Sequence, residues 1–149
     1  MNKERSAGAI IFHTNERREY LLLHYRYKTE YWDFVKGNIE ANETPEDTIV
    51  REIKEETGLS KTRPLAGFIG KTSWVYMRDG ILVHKEVTYF LHQSTTKAIQ
   101  LSTEHIGFGW FGFGEAIDKI THKNSRELLE RAELFLNKRE KESLHTFMK

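Results

Sequence analysis

Apolar positions along the chain fall in short runs broken by polar segments. Ala7 to Phe12 reads as a strand, and Tyr20 to Tyr27 as a second, with Leu21, Leu22 and Leu23 too continuous for a face that meets water. His13 to Glu19 is the polar connection between them. A third apolar stretch, Tyr31 to Val35, leads into Lys36 to Glu43, which is polar and expected as a loop. Helix signals follow: Thr44 suits an N-cap, Pro45 the first helical position, Asp47 nearly completes a capping box, and Gly58 sits where a C-cap glycine ends a helix. Ile49 and Ile53, four apart, give that helix a core-facing edge. Leu65 to Met77 and Ile81 to Leu91 read as strands joined at Arg78-Asp79-Gly80, which carries a hairpin signal. Glycines between Gly107 and Gly114, interleaved with Trp110, Phe111 and Phe113, predict a short strand, followed by a short helix from Glu115 to Ile120. Asn124 and Glu127 fit a capping box ahead of a final helix, in which Leu128, Leu129, Ala132, Phe135 and Leu136 keep helical spacing. Beyond Asn137 the chain is mostly charged, and fraying is expected there. This order predicts an α/β (α+β) fold, a mixed sheet sandwiched between helices as α/β/α.

Composition narrows the function classes. A length of 149 residues fits a single domain, residues 1–149. With 23 basic and 22 acidic residues the net charge is +1, so no global field draws the chain to nucleic acid or membrane. No apolar run approaches the ~20 residues of a membrane span. Cysteine is absent, which removes disulfides, thiolate nucleophiles and Cys-ligated zinc, and fits a reducing, cytoplasmic location. None of the seven histidines shows a metal-ligand spacing with a third partner, so most of them read as surface or packing residues.

The chemistry sits on the first helix. Glu52, Glu55 and Glu56 stand at i, i+3 and i+4, on one side of it. Three carboxylates so placed repel one another, and each like-charged i,i+4 pair costs a few tenths of a kcal/mol. Divalent cations relieve that repulsion, and hard oxygen ligands with waters and substrate phosphates describe a magnesium or manganese site. Glutamate runs are more often a solvated face, and Arg51 and Lys54 sit among these acids as neutralisers. The surrounding spacing decides the matter: Gly37, five residues, Glu43, seven residues, then Arg51-Glu52-Ile53-Lys54-Glu55-Glu56-Thr57-Gly58-Leu59.

That segment resembles the signature box of Nudix hydrolases, with all nine of its specified positions filled. Chance agreement in a chain this long is on the order of one in ten million at average residue frequencies. The resemblance implies a metal-dependent hydrolase of phosphoric anhydride bonds. It implies that Glu52, Glu55 and Glu56 hold Mg2+ or Mn2+, with one of them as base toward water, and that the Lys36 carbonyl completes the site. Glu43 and Arg51 take the place of an internal ion pair. A bound cation would neutralise the polyphosphate and lower the pKa of a water, so no Ser/His/Asp set is needed.

Substrate identity rests on other residues. Trp32-Asp33-Phe34-Val35-Lys36-Gly37-Asn38 resembles the approach to the box in asymmetrical diadenosine tetraphosphate hydrolases, with Val35 in place of their usual proline. Lys85 to Leu91 is similar to their Lys-x-x-x-Tyr strand, which implies that Lys85 meets phosphate and Tyr89 a phosphate oxygen or a base. Leu101-Ser102-Thr103-Glu104-His105 resembles their closing loop, with Glu104 approaching the metal. Trp74, Tyr76 and Trp110 are base-stacking candidates. Lys71, Arg26 and His24 are candidates to meet phosphates. The expected partner is therefore a small nucleotide, diadenosine tetraphosphate cut to ATP and AMP. Two alternatives stand: pyrophosphate release from a nucleoside triphosphate or from RNA 5′ ends, whose enzymes share the Trp32-x-Phe34 pattern, and a non-catalytic nucleotide-binding module. The second is expected to lose a box carboxylate, and none is lost here.

Overall fold

The computed structural model describes residues 1–148. The chain runs β1 (Asn2–Thr14), β2 (Arg18–Tyr27), β3 (Thr29–Asp33), β4 (Val35–Asn38), α1 (Pro45–Thr57), β5 (Thr62–Pro64), β6 (Gly70–Arg78), β7 (Ile81–Ser94), β8 (His105–Phe111), α2 (Phe113–Lys119) and α3 (Lys123–Met148). The strands form one mixed sheet with the path β3-β2-β1-β7-β5, while β4 pairs with β1, β6 with β7 and β8 with β2. Among the described residues only β1 and β7 run parallel, in register from Asn2 opposite Val83 to Phe12 opposite Gln93. That long pairing carries β1 past the apolar run at both ends.

Each face of the sheet holds its own core, as the continuous Leu21-Leu22-Leu23 run requires. One face buries Ala9, Ile11, Leu21 and Leu23 against Ile49 and Ile53 of α1. The other buries Ile10, Leu22, Val87 and Tyr89 against Ala116 of α2 and Leu128, Leu129 and Leu136 of α3. The α/β/α layering is as expected. Adjacent residues on β1 and β2 serve opposite layers, so the apolar run of neither strand shows a polar face.

Besides the longer β1 and an α2 that starts at Phe113, four further boundaries differ from expectation. Lys36-Gly37-Asn38 belongs to strand β4, not to a loop, because it pairs antiparallel with Ser6 to Gly8 of β1. The strand expected from Leu65 begins late: β5 has already ended at Pro64, irregular backbone covers Leu65 to Ile69, and β6 starts only at Gly70. Leu65 and Phe68 are core residues contributed by that segment, where Gly67 takes a positive φ of 96°. Helix α3 starts at Lys123, so Asn124 lies inside its first turn and caps nothing; the first carbonyl to accept is that of His122, from Arg126 N–H at 3.1 Å. Finally, α3 continues through the charged tail to Met148. Arg18 anchors it by bonding Glu133 (2.7 Å), Asn137 (3.0 Å) and Glu140.

Candidate active site

Helix α1 carries the acidic residues, and both its ends are set locally. Thr44 accepts from Asp47 N–H while Asp47 bonds the Thr44 N–H, a reciprocal capping box at 3.1 Å each way. Gly58 closes the helix in the left-handed region at φ 75°, its N–H donating to the Lys54 carbonyl at 2.9 Å. The last carbonyls of α1 are satisfied from a distant loop: Gln100 N–H donates to Thr57 at 2.8 Å and Ser102 N–H to Glu56 at 3.1 Å. This docking brings Glu104 and His105 beside Glu56. Ligand-capable atoms of Glu56, Glu104 and His105 all lie within 4.8 Å of one another.

Glu56 is buried, and one of its oxygens, Oε1, is 3.2 Å from His105 Nε2. Its other oxygen, Oε2, has no hydrogen-bond partner among the described residues, and neither has His105 Nδ1. Burial pushes the Glu56 carboxyl above the ordinary carboxylate range, opposed by His105 and by the Lys36 N–H. Burial likewise raises Glu52, with Arg51 opposing and the Glu56 charge adding to the rise. A buried, unpaired carboxylate oxygen costs stability, and a divalent cation is the natural partner for it. The donor set fits such an ion.

Gly37 is there for Glu52. A Cβ on Gly37 would lie 2.1 Å from Glu52 Cδ, so any side chain there would push the Glu52 carboxylate out of its place. Arg51 organises the remaining acids. It meets Glu43 through two bonds of 2.7 and 2.9 Å, Glu52 at 2.7 Å and Glu55 at 3.2 Å. Those contacts hold the Glu43 carboxyl down at about 2. The expected Glu43–Arg51 pair is therefore present. The three acids still repel one another, since the Glu56 and Glu55 charges both raise Glu52, but they differ in exposure: Glu56 is buried, Glu52 is half-buried against Gly37, and Glu55 stays exposed beside Arg51.

A cavity of about 370 Å³ opens at Glu56, Glu104 and His105. Lys36, Trp74 and Lys85 also line it, so five of the residues expected in the site converge there. A second cavity of about 760 Å³ shares Lys36 and Trp74, and Tyr89 and Asp33 lie in its wall. Tyr89 is almost wholly buried, packed on Gly8 and edge-on to Phe34, so it reaches that second cavity rather than the acidic one. Tyr76 lines a third cavity. Trp110 donates its indole N–H to the Lys97 carbonyl and lines none of these three. His24 stacks on Trp32, and Lys71 lies on a separate surface pocket. Arg26 alone of those three phosphate candidates reaches the acidic cavity. His105 was not legible from spacing, since it lies 49 residues from Glu56 and meets it only through the loop.

A family model for the NUDIX domain matches residues 3–132. The chain belongs to the Nudix family. Bis(5′-nucleosyl)-tetraphosphatase [asymmetrical] of Mus musculus is 29% identical over 143 residues, 89% of this chain and 95% of that protein. The crystal structure of a C. elegans Ap4A hydrolase binary complex superposes with a TM-score of 0.79 at 26% identity, covering 90% of this chain and 98% of that one. An RNA pyrophosphohydrolase of Marinomonas is 42% identical over 74 residues, 49% of this chain and 43% of its own. Membership of the Nudix family makes the chain a hydrolase of nucleotide pyrophosphate bonds. No described helix is long and apolar enough to cross a membrane.

Proposed function

We propose that the chain hydrolyses dinucleoside polyphosphates, with diadenosine tetraphosphate cut to ATP and AMP. The observation that carries this is the join between the acidic cavity and the larger aromatic one, through Lys36 and Trp74. A polyphosphate can lie on the carboxylates while its nucleoside enters the neighbouring space. Likeness to the mouse tetraphosphatase over nearly the whole chain supports the same reading.

Glu56, Glu52, Glu104 and the Lys36 carbonyl are the groups that would hold Mg2+ or Mn2+, with Glu55 at the rim. Bound there, such an ion neutralises the anhydride oxygens and lowers the pKa of a water. The chain's own residues do the rest. Lys85, held 3.0 Å from Asn38 Oδ1, sits in the cavity wall to meet phosphate charge, and burial lowers its pKa. Glu104 is exposed at the mouth, and as a carboxylate within reach of Glu56 it is the candidate to take the proton from water. Asp33 accepts from Lys36 Nζ at 3.2 Å and from Ser125 Oγ at 2.9 Å, tying the start of α3 to the cavity floor.

The RNA alternative keeps its likeness to the RNA pyrophosphohydrolase, but the aromatic pair does not add to it. Trp32 is stacked on His24 at 4.4 Å and Phe34 is fully buried, so that pair serves packing instead of presenting a base-binding surface.

The test is product analysis with a panel of dinucleoside polyphosphates, nucleoside triphosphates and 5′-triphosphorylated RNA, with and without Mg2+ or Mn2+. ATP plus AMP from diadenosine tetraphosphate is expected. Release of orthophosphate or pyrophosphate alone would remove the proposal. Glu56→Gln is expected to abolish turnover with an unchanged circular dichroism spectrum.

A further inference from the structure

Among the described residues two histidines are buried, His92 and His105. His92 meets the Thr62 hydroxyl, whereas His105 meets a carboxylate. The place of His105 is set by an irregularity in the sheet. Along β8, Trp110 lies opposite Leu21 and Phe108 opposite Leu23, and Leu21, Leu23 and Trp110 belong to the α1 layer. Strict alternation would put Ile106 opposite Tyr25 and turn it toward that layer. The register shifts there, so His105 takes the position opposite Tyr25 and Ile106 is left 45% exposed. A bulge of this kind re-aims one side chain, here an imidazole in place of an aliphatic group.

Ser102 brings the preceding loop onto the helix. Its N–H donates to the Glu56 carbonyl at 3.1 Å, its carbonyl accepts from the His105 N–H at 3.3 Å, and its hydroxyl oxygen accepts from the Glu104 N–H at 3.1 Å. Edge-on contact with Tyr25, ring centroids 4.6 Å apart, holds the imidazole from the side. Nε2 then lies 3.2 Å from Glu56 Oε1, while Nδ1 is buried without a partner. Of the two neutral tautomers, one suits these surroundings. A proton on Nδ1 would be a buried donor with no acceptor, and would aim the Nε2 lone pair at a carboxylate oxygen. With the proton on Nε2 the imidazole donates to Oε1, and Oε2 is the oxygen left without a partner.

We infer that His105 is a positioning residue of the ion site and not one of its ligands: its Nε2–H holds the Glu56 carboxylate through Oε1, which leaves Oε2 for a divalent cation. The inference rests on the ion site of the proposed function and deepens it. His105, Glu56 and Glu104 stand close enough together to look like one ligand set. The hydrogen bond divides them, because the imidazole nitrogen nearest the carboxylates is a donor and has no lone pair to offer. A carboxylate fixed in this way does not lose the freedom of rotation on binding an ion, so removing the donor should weaken the ion's hold.

The test starts from the unaltered full chain. Long-range proton–nitrogen NMR correlations at mildly alkaline pH are expected to show His105 protonated on Nε2, with and without Mg2+. In pulsed electron paramagnetic resonance, Mn2+ bound to the wild type is expected to show no directly coordinated nitrogen. A proton on Nδ1 alone, or nitrogen bound to Mn2+, would overturn the inference without recourse to any variant. His105→Phe keeps a ring against Tyr25 and removes the donor, and its Mn2+ affinity is expected to fall roughly 10–100-fold. His105→Gln, whose amide N–H can stand in for Nε2–H, is expected to keep most of that affinity. Unchanged affinity in His105→Phe, or an equal loss in both variants, would overturn the role. No Mn2+ bound by the wild type would remove the ion site and this role with it. Products other than ATP and AMP in turnover assays would remove the proposed substrate and leave these binding results standing.

Discussion

A single buried atom links stability to the proposed ion site. Glu56 Oε2 has no donor, and the carboxyl it belongs to is pushed upward by burial. An uncompensated buried acceptor costs about 1–3 kcal/mol, which ligand binding to the native state can offset. Mn2+ or Mg2+ at a hundredfold excess over its dissociation constant is therefore expected to stabilise the protein by about 2.7 kcal/mol, read as a rise in melting temperature. In Glu56→Gln that rise should shrink to near zero, and an equal rise would show that the ion binds elsewhere. Gly37 belongs to the same scale, because a methyl group there collides with Glu52. Much of the site was legible at this level, since the acidic spacing on α1 is local. His105 was not. Its contact depends on a loop donating to the α1 carbonyls, and no periodicity announces a hydrogen bond between segments 49 residues apart.

Helix α1 shows why some elements can be read from sequence and others cannot. Its cap, first-turn proline, edge isoleucines and terminal glycine all act within a few residues, and they mark Pro45–Thr57 without help from the rest of the chain. Strand β4 has no such signal. Lys36, Gly37 and Asn38 are polar or small, and become a strand only because β1 lies alongside. The turn at Leu65 to Ile69 misleads in the opposite sense: its apolar residues look like strand but fill the core from irregular backbone. The start of α3 misleads through Asn124, a good capping residue that the helix passes by. Local control of α1 can be measured. Thr44→Ala removes a cap side chain and should cost about 1 kcal/mol. Gly58→Ala forces alanine into the left-handed region and brings its Cβ to 3.0 Å from Gln100 Cβ. It should cost more than the ~0.4–1 kcal/mol by which such a change stabilises at a compatible site. It should also lower activity, since the loop from Gln100 to Ser102 docks on that end of the helix. Denaturant melts and activity assays on the two variants check both points; a Gly58→Ala protein with a destabilised fold but normal turnover would separate the helix end from the site.

For the molecule as a whole, the acid side of the stability curve has an identifiable source in the middle of the sheet. His92 lies on β7, between β1 and β5, with Ile11 opposite on one side and Pro64 on the other. It is buried, its Nδ1 is 3.1 Å from Thr62 Oγ1, and burial lowers its pKa to about 4. The unfolded chain binds a proton at this position near pH 6.5, whereas the folded chain does not until about pH 4. Between those values the unfolded state holds more protons, so stability rises with pH. The contribution is full above pH 6.5 and is lost as pH falls toward 4, a total of about 3 kcal/mol. Glu43 adds a second, lower window with the same sign: its pKa is about 2 in the fold against an ordinary 4.5, so its support is present above 4.5 and fades as pH falls through 2. Glu52 and Glu56 act in the opposite direction, because raised carboxyl pKa values make the fold bind protons more readily than the unfolded chain. Their penalty is present at neutral pH and is relieved as pH falls, so the raw curve mixes both signs. Comparison with a variant isolates the histidine. His92→Gln keeps a hydrogen-bonding group toward Thr62 and removes the titration. Between pH 6.5 and 4 its melting temperature should fall less steeply than that of the wild-type chain, with the two curves parallel above pH 7. Parallel curves throughout would mean that the buried imidazole takes up its proton without cost, and that acid unfolds this sheet through some other group.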